Sequence, residues 1–270
     1  GETGLKSSIT PNLGGDSKTD QNHFLLEPVS IENLHNNRNT RNFWCRIEDK
    51  GCWSVCGSSA KQEAEKFTKD QDESTLEAGF MWQKLTRISK EYGVKAETTS
   101  FVTLDGAMEV MMVELTNTAE YEQKITPMAV IPVYGRSADN IRDHRHVTSL
   151  LHRIETKMYG VEVCPVLSFD ERGHQKNQTT YFVYGSTGEG EAPETFYPTT
   201  EMFIGEGGSY LIPETVRTVK DGVPAGTKLQ GKEAAGGMRF ASVTLKPQES
   251  AAYLILAGIS EEREQIEKQT

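Results

Sequence analysis

Cysteine is scarce in this sequence, and the few residues present form no pattern with a chemical role. Four cysteines occur in 270 residues. Cys45, Cys52 and Cys56 are separated by six and three residues, a spacing that fits neither a zinc ribbon nor a redox C-x-x-C pair. Their strand-like surroundings favour buried free thiols. Because the first residues also lack a charged-then-apolar leader pattern, we expect a reducing, cytoplasmic location.

Long apolar runs and a surplus of positive charge are missing as well. No apolar stretch approaches the roughly 18 residues that a membrane-spanning helix needs. Lys and Arg total 29 against 39 Asp and Glu, a net charge of −10, so the chain as a whole offers little to a nucleic-acid backbone or an anionic membrane. The sequence therefore predicts neither partner, although a local basic patch is compatible with these totals.

Motifs of nucleotide binding and nucleophilic catalysis are absent too. Three glycine-rich stretches, at 185–191, 205–208 and 236–237, are not followed by Gly-Lys-Ser/Thr and are not set in a strand–turn–helix unit. They are therefore predicted to be tight turns between strands. No Gly-x-Ser-x-Gly elbow occurs, and no cysteine has the local motif of a nucleophile.

Glutamates and aromatic residues are interspersed between residues 189 and 210, a mixture that can line a sugar site. Sequence spacing does not show that any two of these carboxylates face each other, so a charged loop rim is the preferred interpretation. The glutamates are Glu189, Glu191, Glu194, Glu201 and Glu206, and the aromatic residues are Phe196, Tyr197 and Tyr210.

The sequence does contain segments in which apolar and polar residues alternate, as they do in β-strands. Phe43, Cys45 and Ile47 lie on one face, the turn signal 48–51 follows, and 52–55 resume the alternation, which predicts a hairpin. No stretch gives successive helices with a period of 3.6 residues. The predicted class is therefore all-β, with two packed antiparallel sheets and minor helices.

Further strands are predicted along the chain. Residues 108–115 and 125–134 are strong apolar runs, and Pro127 and Pro132 predict an edge, a bulge or a kink in the second. Two more hairpins are predicted, 161–169 with 179–184 around the turn 170–174, and 238–245 with 252–257 around the turn 246–250.

Other segments are less regular. Residues 93–105 alternate weakly, with the anchors Phe101, Val102 and Leu104. Residues 60–76 are charged and poor in apolar residues, which predicts either a solvated helix or a long excursion.

The domain organisation follows from these patterns. Residues 1–22 are small and polar and are predicted to be a flexible or irregular segment, followed by the β domain at 23–259. Residues 260–270 are predicted to start a linker helix, because Ser260 is a suitable N-cap and glutamates occupy the first turn. We expect this chain to be a piece of a longer one.

A basic segment at 140–153 is the densest polar constellation in this acidic sequence. If it is extended, Arg142, His144 and His146 project from one face, and that face can bind a phosphate, sugar hydroxyls or a carboxylate. A polar strand or loop packed within the fold is the alternative. His-x-His can hold a metal, but no third ligand is visible, so no metal site is predicted. The candidate site residues are Arg142, His144, Arg145, His146, Arg153 and, from the glutamate-rich loop, Glu206.

Several segments resemble the N-terminal β-supersandwich domain of glycoside hydrolase family 94, the inverting β-glucan phosphorylases. The resemblance runs from Phe43 to Gly258. It rests on Phe43–Ile47 through Trp53–Ser54, Val113–Thr118, Arg142–Arg153, and Phe196–Thr199 through Phe203–Gly208. The last two look most similar to the phosphorylases acting on β-1,2-linked glucose oligomers, sophorose and its homologues.

The resemblance implies a fold and a division of labour. The fold is a supersandwich of two large antiparallel sheets, as in galactose mutarotase. An inverting phosphorylase uses one carboxylic acid to protonate the glycosidic oxygen, and inorganic phosphate is the nucleophile. In the family that acid lies in an (α/α)6 barrel C-terminal to this domain. The resemblance thus implies no catalytic residue in this segment, and no cofactor beyond the co-substrate phosphate.

The partners implied by the resemblance are the barrel of the same chain and a β-glucan oligosaccharide. Either the basic segment or the loop at 189–208 can reach the substrate rim, and several family members are homodimers. Two other functions remain open. A free-standing carbohydrate-binding module needs an exposed aromatic platform, for which the candidates are Trp44, Trp53, Trp82 and Tyr197, although alternation favours a core position for Trp44 and Trp53. An aldose epimerase needs His144, His146 or His174 to face a Glu across a sheet concavity.

Overall fold

The computed structural model describes residues 4–33, 36–138, 145–170 and 173–260. In this part of the chain two large antiparallel sheets pack face to face, and few helices accompany them. The predicted all-β supersandwich is therefore confirmed. Ser260, the predicted N-cap, is the last residue of the final strand, and the rest of the predicted linker helix lies outside the described residues.

The smaller of the two sheets has six strands within the described residues. In order across the sheet they are β16 (Thr195–Thr199), β18 (Ala234–Arg239), β10 (Gln123–Val133), β4 (Asn42–Ile47) and β5 (Gly51–Ser54), with β19 (Val243–Leu245) also pairing with β10. β4 and β5 form the hairpin predicted from the alternation of apolar and polar residues, with Trp44 opposite Ser54.

The larger sheet has nine strands within the described residues. In order they are β17 (Lys228–Gln230), β11 (Arg153–Lys157), β12 (Gly160–Val163), β15 (Thr180–Thr187), β20 (Ser250–Ser260), β9 (Met108–Asn117), β8 (Val94–Val102), β7 (Trp82–Ser89) and β6 (Glu73–Gly79). β12 pairs with β15, as the second predicted hairpin requires. The tip of that hairpin forms a separate pair, β13 (Leu167–Asp170) and β14 (Gly173–Lys176).

Smaller elements complete the described fold. A three-stranded sheet near the N-terminus consists of β1 (Lys6–Ser7), β2 (Ser17–Lys18) and β3 (Phe24–Leu26), and the helices are α1 (Ala60–Glu65), α2 (Arg145–Ser149), α3 (Thr200–Ile204) and α4 (Glu214–Thr218). The segment 60–76 is thus neither one helix nor one excursion. A capping box between Ser59 and Gln62 starts α1, and β6 begins at Glu73.

The main core lies between the two large sheets. Because side chains alternate along β4, Phe43, Cys45 and Ile47 all point into it, as predicted. The Phe43 ring packs at 5.6 Å between centroids on Tyr253, which comes from the opposite sheet. Burial of these apolar side chains is the main source of stability. The two sheets therefore enclose a continuous core of their own.

Two of the four cysteines, Cys45 and Cys56, and the N-terminal segment add to this core. Cys45 and Cys56 are buried, Cys52 and Cys164 are partly buried, and all four are free thiols. Residues 4–22 have little regular structure but are packed rather than loose, because Leu5 and Leu13 are buried among the core residues.

Two glycines predicted to lie in a turn are instead in the middle of β18. A Cβ atom on Gly236 would lie 2.2 Å from the Cβ of Val183 in the opposite sheet, and one on Gly237 would lie 2.6 Å from the carbonyl oxygen of Tyr197 on β16. Gly236 therefore leaves room for the Val183 side chain of the opposite sheet, and Gly237 permits a close approach of the β16 backbone, rather than either marking a change of chain direction.

The prolines of β10 do not mark an edge, because β10 lies between β18 and β4. The carbonyl oxygen of Pro127 accepts a hydrogen bond from the backbone N–H of Phe240, which lies between β18 and β19. The nitrogen of Pro127, which carries no hydrogen, points to the same gap. Successive residues alternate sides, so Pro132 faces the side of β4, and β4 ends its pairing at Val130. Both prolines thus occupy positions where no strand needs their N–H.

The third predicted hairpin is wrong. β19 pairs with β10 in the smaller sheet, whereas β20 pairs with β9 and β15 in the larger one. The reason lies at Asn117, whose side chain donates to the carbonyl oxygen of Leu245 and whose own carbonyl accepts from Gln248. The chain is therefore turned from one sheet onto the other.

Two of the three anchors predicted for β8 are wrong. Leu104 is 86% exposed in the connection that follows the strand, and Phe101 is partly buried and points to the outer face. Val102 is partly buried and packs against the core, as predicted, and the fully buried core residues of the strand are Val94 and Ala96.

Candidate functional site: the open face of the larger sheet

The two large sheets differ in what covers their outer faces. α3 and α4 lie over the smaller sheet, where they bury Trp44 and Tyr197 together with Phe203 of α3. In the described part of the chain no helix packs on the outer face of the nine-stranded sheet. We call this surface the open face.

An apolar band crosses the open face. Strand pairing places one residue of each of five strands in the same row: Trp82, Phe101, Val110, Leu256 and Tyr184. The next row contributes Met112, which is 50% exposed, and Leu254. Within the first row Trp82 is 42% exposed and Phe101 and Leu256 are partly exposed, whereas Val110 and Tyr184 are buried. The exposed part of the band, at Trp82 and Met112, is an apolar patch of the kind that packs against a partner.

Glycines keep one end of the band flat. A Cβ atom on Gly258 would lie 2.5 Å from the ring of Phe182, and one on Gly160 would lie 2.6 Å from the ring of Tyr184. Both rings therefore lie directly over sheet backbone, with their centroids 5.2 Å apart. Any larger residue beneath them would lift the rings from the sheet.

A charged cluster borders the band on the side of β17. Glu155 and Glu162 are direct cross-strand partners, an arrangement that is repulsive in itself. Nζ of Lys157 lies 3.2 Å from Oε1 of Glu155 and 3.6 Å from Oε2 of Glu162, and the hydroxyl of Tyr184 donates to Glu162. The two carboxylates are thus balanced by groups of the same face.

A cavity of about 620 Å³ lies next to this cluster. Its polar lining consists of Arg153, Glu155, Glu162, Cys164, Lys228 and Gln230. Arg153 donates to the carbonyl oxygens of Leu150 and His152 at 3.1 and 3.0 Å, which holds its guanidinium at the rim.

A second groove, of about 440 Å³, lies on the other side of the band. Met112 and Leu254 contribute apolar lining, and the loop at 186–190 lines it as well. Lys84 and Lys95 lie 2.5 and 2.7 Å from the two carboxylate oxygens of Glu97, and their hydrogen bonds lower the pKa of Glu97 below its usual value. The groove therefore combines an apolar patch with fixed charges and hydroxyl groups.

The structure separates the residues predicted to form a site. Arg142 and His144 lie outside the described residues. Arg145 and His146 begin α2, so the extended conformation assumed for the basic segment does not hold from Arg145 onward. Arg153 lies on the rim of the larger cavity, whereas Glu206 lies in an exposed turn that follows α3, in the layer over the other sheet.

The structure bears on the two alternative functions, a carbohydrate-binding module and an aldose epimerase. Trp44, Trp53 and Tyr197 are buried, as expected for the first two, which leaves Trp82 as the exposed tryptophan of the described residues. His174 lies on β14 of the small two-stranded sheet and not on the open face.

Among the described residues no three His, Cys, Asp or Glu side chains group as a metal site. No described helix has the length and apolar character to cross a membrane.

The open face itself was missed in the sequence because its residues are distant from one another. A signal was nevertheless present, since Met112, Leu254 and Leu256 occupy the positions between core residues where a half-exposed strand normally carries polar side chains. Such outward apolar residues on adjacent strands indicate a second buried face.

His152, which follows α2, is fully buried and electrically neutral. Its Nδ1 donates to the carbonyl oxygen of Lys232 at 3.2 Å. Burial, together with the positive charge of Arg136, lowers the pKa of His152 to about 4. This histidine therefore has a structural role rather than that of a proton carrier at neutral pH.

We expect His152 to make the fold acid-sensitive. Because its folded pKa lies below the unfolded value, the unfolded chain binds the proton first, and stability falls as pH drops from 6.5 towards 4. Between pH 7 and 5 the wild-type chain should lose about 2 kcal/mol more unfolding free energy than His152→Gln. Urea unfolding of both proteins at the two pH values measures this difference, and parallel losses would contradict it.

Comparison with known proteins supplies the context for this geometry. The family model of the glycosyl hydrolase 94 supersandwich domain matches residues 6–270. Comparison with curated protein sequences finds no match. A bacterial glucoamylase solved in complex with acarbose is similar in fold, with a TM-score of 0.52 and 6% identity over 98% of this chain and 33% of that one.

Two further solved structures are similar at lower scores. A polysaccharide lyase has a TM-score of 0.49 and 9% identity over 97% of this chain and 33% of its own. A protein described as a kojibiose phosphorylase from the human microbiome has a TM-score of 0.40 and 9% identity, over 98% of this chain and 33% of its own. The chain thus spans about a third of the length of these three structures.

Proposed function

Because this chain belongs to the glycosyl hydrolase 94 supersandwich-domain family, we propose that it is the non-catalytic domain of a glycoside phosphorylase. The proposed parent protein cleaves β-glucan oligosaccharides with inorganic phosphate and releases α-glucose 1-phosphate. β-1,2-linked oligosaccharides are the proposed substrates, as the resemblance at 142–153 and 196–208 suggests. The proton donor to the glycosidic oxygen belongs to an (α/α)6 barrel outside this chain.

The open face is the observation that carries a docking role. It combines an apolar band with charged margins, and no helix of the described residues makes an extensive contact with it. Glu155 and Glu162, the carboxylates closest to its larger cavity, are engaged by Lys157 and Tyr184 and are not presented as free acids. We therefore assign the open face to packing against the barrel and no catalytic step to this chain.

Phosphorolysis by the parent protein tests the proposed activity. Incubation with phosphate and β-1,2-, β-1,3- or β-1,4-linked glucose oligomers should yield glucose 1-phosphate, fastest from the β-1,2-linked series. The 270-residue chain alone should yield none. Sugar release by the parent that is independent of phosphate would overturn the phosphorylase assignment, and turnover by the isolated chain would overturn the non-catalytic role.

Carbohydrate binding by this chain alone is the second candidate, and the 440 Å³ groove favours it. The groove offers carboxylates and hydroxyl groups beside Met112 and Leu254, which is the mixture that holds a sugar ring. Glu114 is one of the carboxylates that line the groove. Calorimetric titration with β-1,2-glucan supports this function if heat is released by the wild-type chain and lost in Glu114→Ala. No heat from the wild-type chain rejects it.

A further inference from the structure

A cavity of about 210 Å³ lies at the margin of the core, on the inner side of the larger sheet. Leu85 and Arg87 of β7 line it from the same face of the strand, because side chains alternate, and Leu85 belongs to the core. The other lining residues come from β6, from α1 and the segment after it, and from the N-terminal segment at 11–12. This edge cavity is therefore separate from the two cavities of the open face.

Arg87 holds a fixed position in the edge cavity. Its Nε donates to the carbonyl oxygen of Val55 at 3.2 Å, and its Nη2 donates to that of Cys56 at 3.4 Å. The guanidinium lies against the backbone at Gly57, where a Cβ atom would collide with it, and Gly57 has a φ of 72° that favours glycine. The guanidinium is thus oriented before any ligand arrives.

The positive charge of Arg87 has no ion-pair partner among the described residues. Burial lowers the pKa of Arg87 below its usual value, because part of the charge is removed from water. Asp72 attracts this charge electrostatically, but Oδ2 of Asp72 accepts hydrogen bonds from Nε1 of Trp53 and Nε2 of Gln62, both at 2.8 Å. A partly buried charge without a direct counter-ion is stabilised when an anion binds beside it.

Two further polar side chains of the cavity have hydrogen-bond donors to spare. The side-chain oxygen of Asn12 accepts from the hydroxyl of Thr10 at 2.5 Å, and that of Gln71 accepts from the N–H of Phe67 at 2.7 Å. Within the described residues, the NH2 groups of Asn12 and Gln71 and Nη1 of Arg87 donate to no protein group. Donors without acceptors favour a ligand that is rich in oxygen and negatively charged.

We propose that the edge cavity binds a small oxyanion, a phosphate or a carboxylate group, through the guanidinium of Arg87. A guanidinium offers parallel N–H donors that match two oxygens of either group. Lys66, which lines the cavity and pairs with Glu63 at 2.6 Å, supplies a second positive charge. The volume is below the roughly 300–1,000 Å³ of sites for drug-sized ligands, so the ligand is a small anion and not an oligosaccharide. Because the carboxylate of Asp72 opposes binding, we expect a dissociation constant in the millimolar range.

Calorimetric titration of the 270-residue chain, whose sheets enclose their own core, with inorganic phosphate and with acetate tests this proposal. Sodium chloride keeps the ionic strength constant, so that general screening does not change. Arg87→Gln should raise the dissociation constant at least about tenfold and Lys66→Met about threefold, because each removes one positive charge. Lys124→Met is the matched control and should bind as the wild type does, because Lys124 also pairs with a glutamate, Glu48, but does not line the cavity.

Asp72→Asn makes the test specific to an anion. This variant keeps a side-chain oxygen for Trp53 and Gln62 and removes the negative charge, so binding should become at least about threefold tighter. A purely structural role of Arg87 predicts no such gain. Circular dichroism of each variant establishes that it is folded, and Lys66→Met and Asp72→Asn keep the test valid if Arg87→Gln unfolds.

The two anions distinguish the groups, since the one with the lower dissociation constant identifies phosphate or carboxylate as the preferred ligand. Glucose, which is neutral, should not bind in the edge cavity. Absence of saturable binding of both anions would overturn the proposal, as would undiminished binding by folded Arg87→Gln or weaker binding by Asp72→Asn. Binding should persist in the parent protein, and its loss there would assign the cavity to a side-chain carboxylate of a neighbouring domain instead of a small anion.

Discussion

Replacing Arg41 by methionine is expected to lower the free energy of unfolding by about 3–5 kcal/mol. Arg41 directly precedes β4 in the smaller sheet, and its partner Glu109 lies on β9 in the larger one. Nε and Nη2 of Arg41 donate to the two carboxylate oxygens of Glu109 at 2.7 and 2.9 Å. Both side chains are almost completely buried. The methionine variant leaves the Glu109 carboxylate buried without its counter-charge.

The N-terminal segment completes this ion pair. Nη1 of Arg41 donates to the carbonyl oxygen of Gly15 at 2.6 Å, and Nη2 donates to the hydroxyl of Ser7 at 2.9 Å. The guanidinium thus connects both large sheets and the segment at 4–22. Loss of Arg41 should therefore also release that segment, which limited proteolysis would detect as new cleavage before residue 23.

Two further variants make the Arg41 prediction specific. The double variant Arg41→Met/Glu109→Leu leaves no lone buried charge and should lose less stability than Arg41→Met alone. Lys124→Met breaks an exposed pair with Glu48 and should change stability by less than about 1 kcal/mol. Chemical denaturation of the four proteins measures these differences. A loss below about 1 kcal/mol in Arg41→Met would contradict the buried-pair account.

Introducing a charge at Met112 is expected to uncouple this domain from the rest of the proposed parent protein. Met112 lies in the open face and is half exposed in the chain itself. If the barrel covers this face, Met112→Glu places an unpaired carboxylate in a desolvated interface, which costs several kcal/mol. Calorimetry of the parent should then show two unfolding transitions where the wild type shows one.

The isolated chain supplies the control for this variant. Because Met112 faces outward, Met112→Glu should change the stability of the 270-residue chain by less than about 1 kcal/mol. Leu104→Glu, at an exposed position away from the apolar band, should leave the single transition of the parent intact. If Met112→Glu also left it intact, the open face would not be the docking surface.

Local patterns in the sequence predicted the local pairs of the fold. Alternation placed Phe43, Cys45 and Ile47 in the core and defined the β4–β5 hairpin, because that pairing joins residues a few positions apart. The third hairpin failed because the side chain of one distant residue, Asn117, redirects the chain after Leu245. The prediction of an edge from the prolines of β10 failed because a strand tolerates proline wherever no neighbouring strand needs its N–H, and that depends on where the neighbouring strands end.

The candidate site shows the same difference between local features, which the sequence predicted, and contacts between distant strands, which it did not. The basic segment drew attention to Arg153, which the structure places on the rim of the larger cavity. The open face is defined by register between strands that are distant in the sequence, so the outward apolar residues of each single strand did not show that they form one band. Its apolar row becomes visible only when Phe101, Val110 and Leu256 are seen side by side.

A partner domain that covers the open face should protect Met112 from oxidation, and this protection tests the proposed docking most directly. Hydrogen peroxide converts accessible methionine to its sulfoxide, and mass spectrometry follows each residue. Met112 should react at least about tenfold more slowly in the parent protein than in the isolated chain, as expected for removal from solvent. Met238, which is fully buried, should be slow in both. Equal rates at Met112 in the two proteins would contradict the proposed docking.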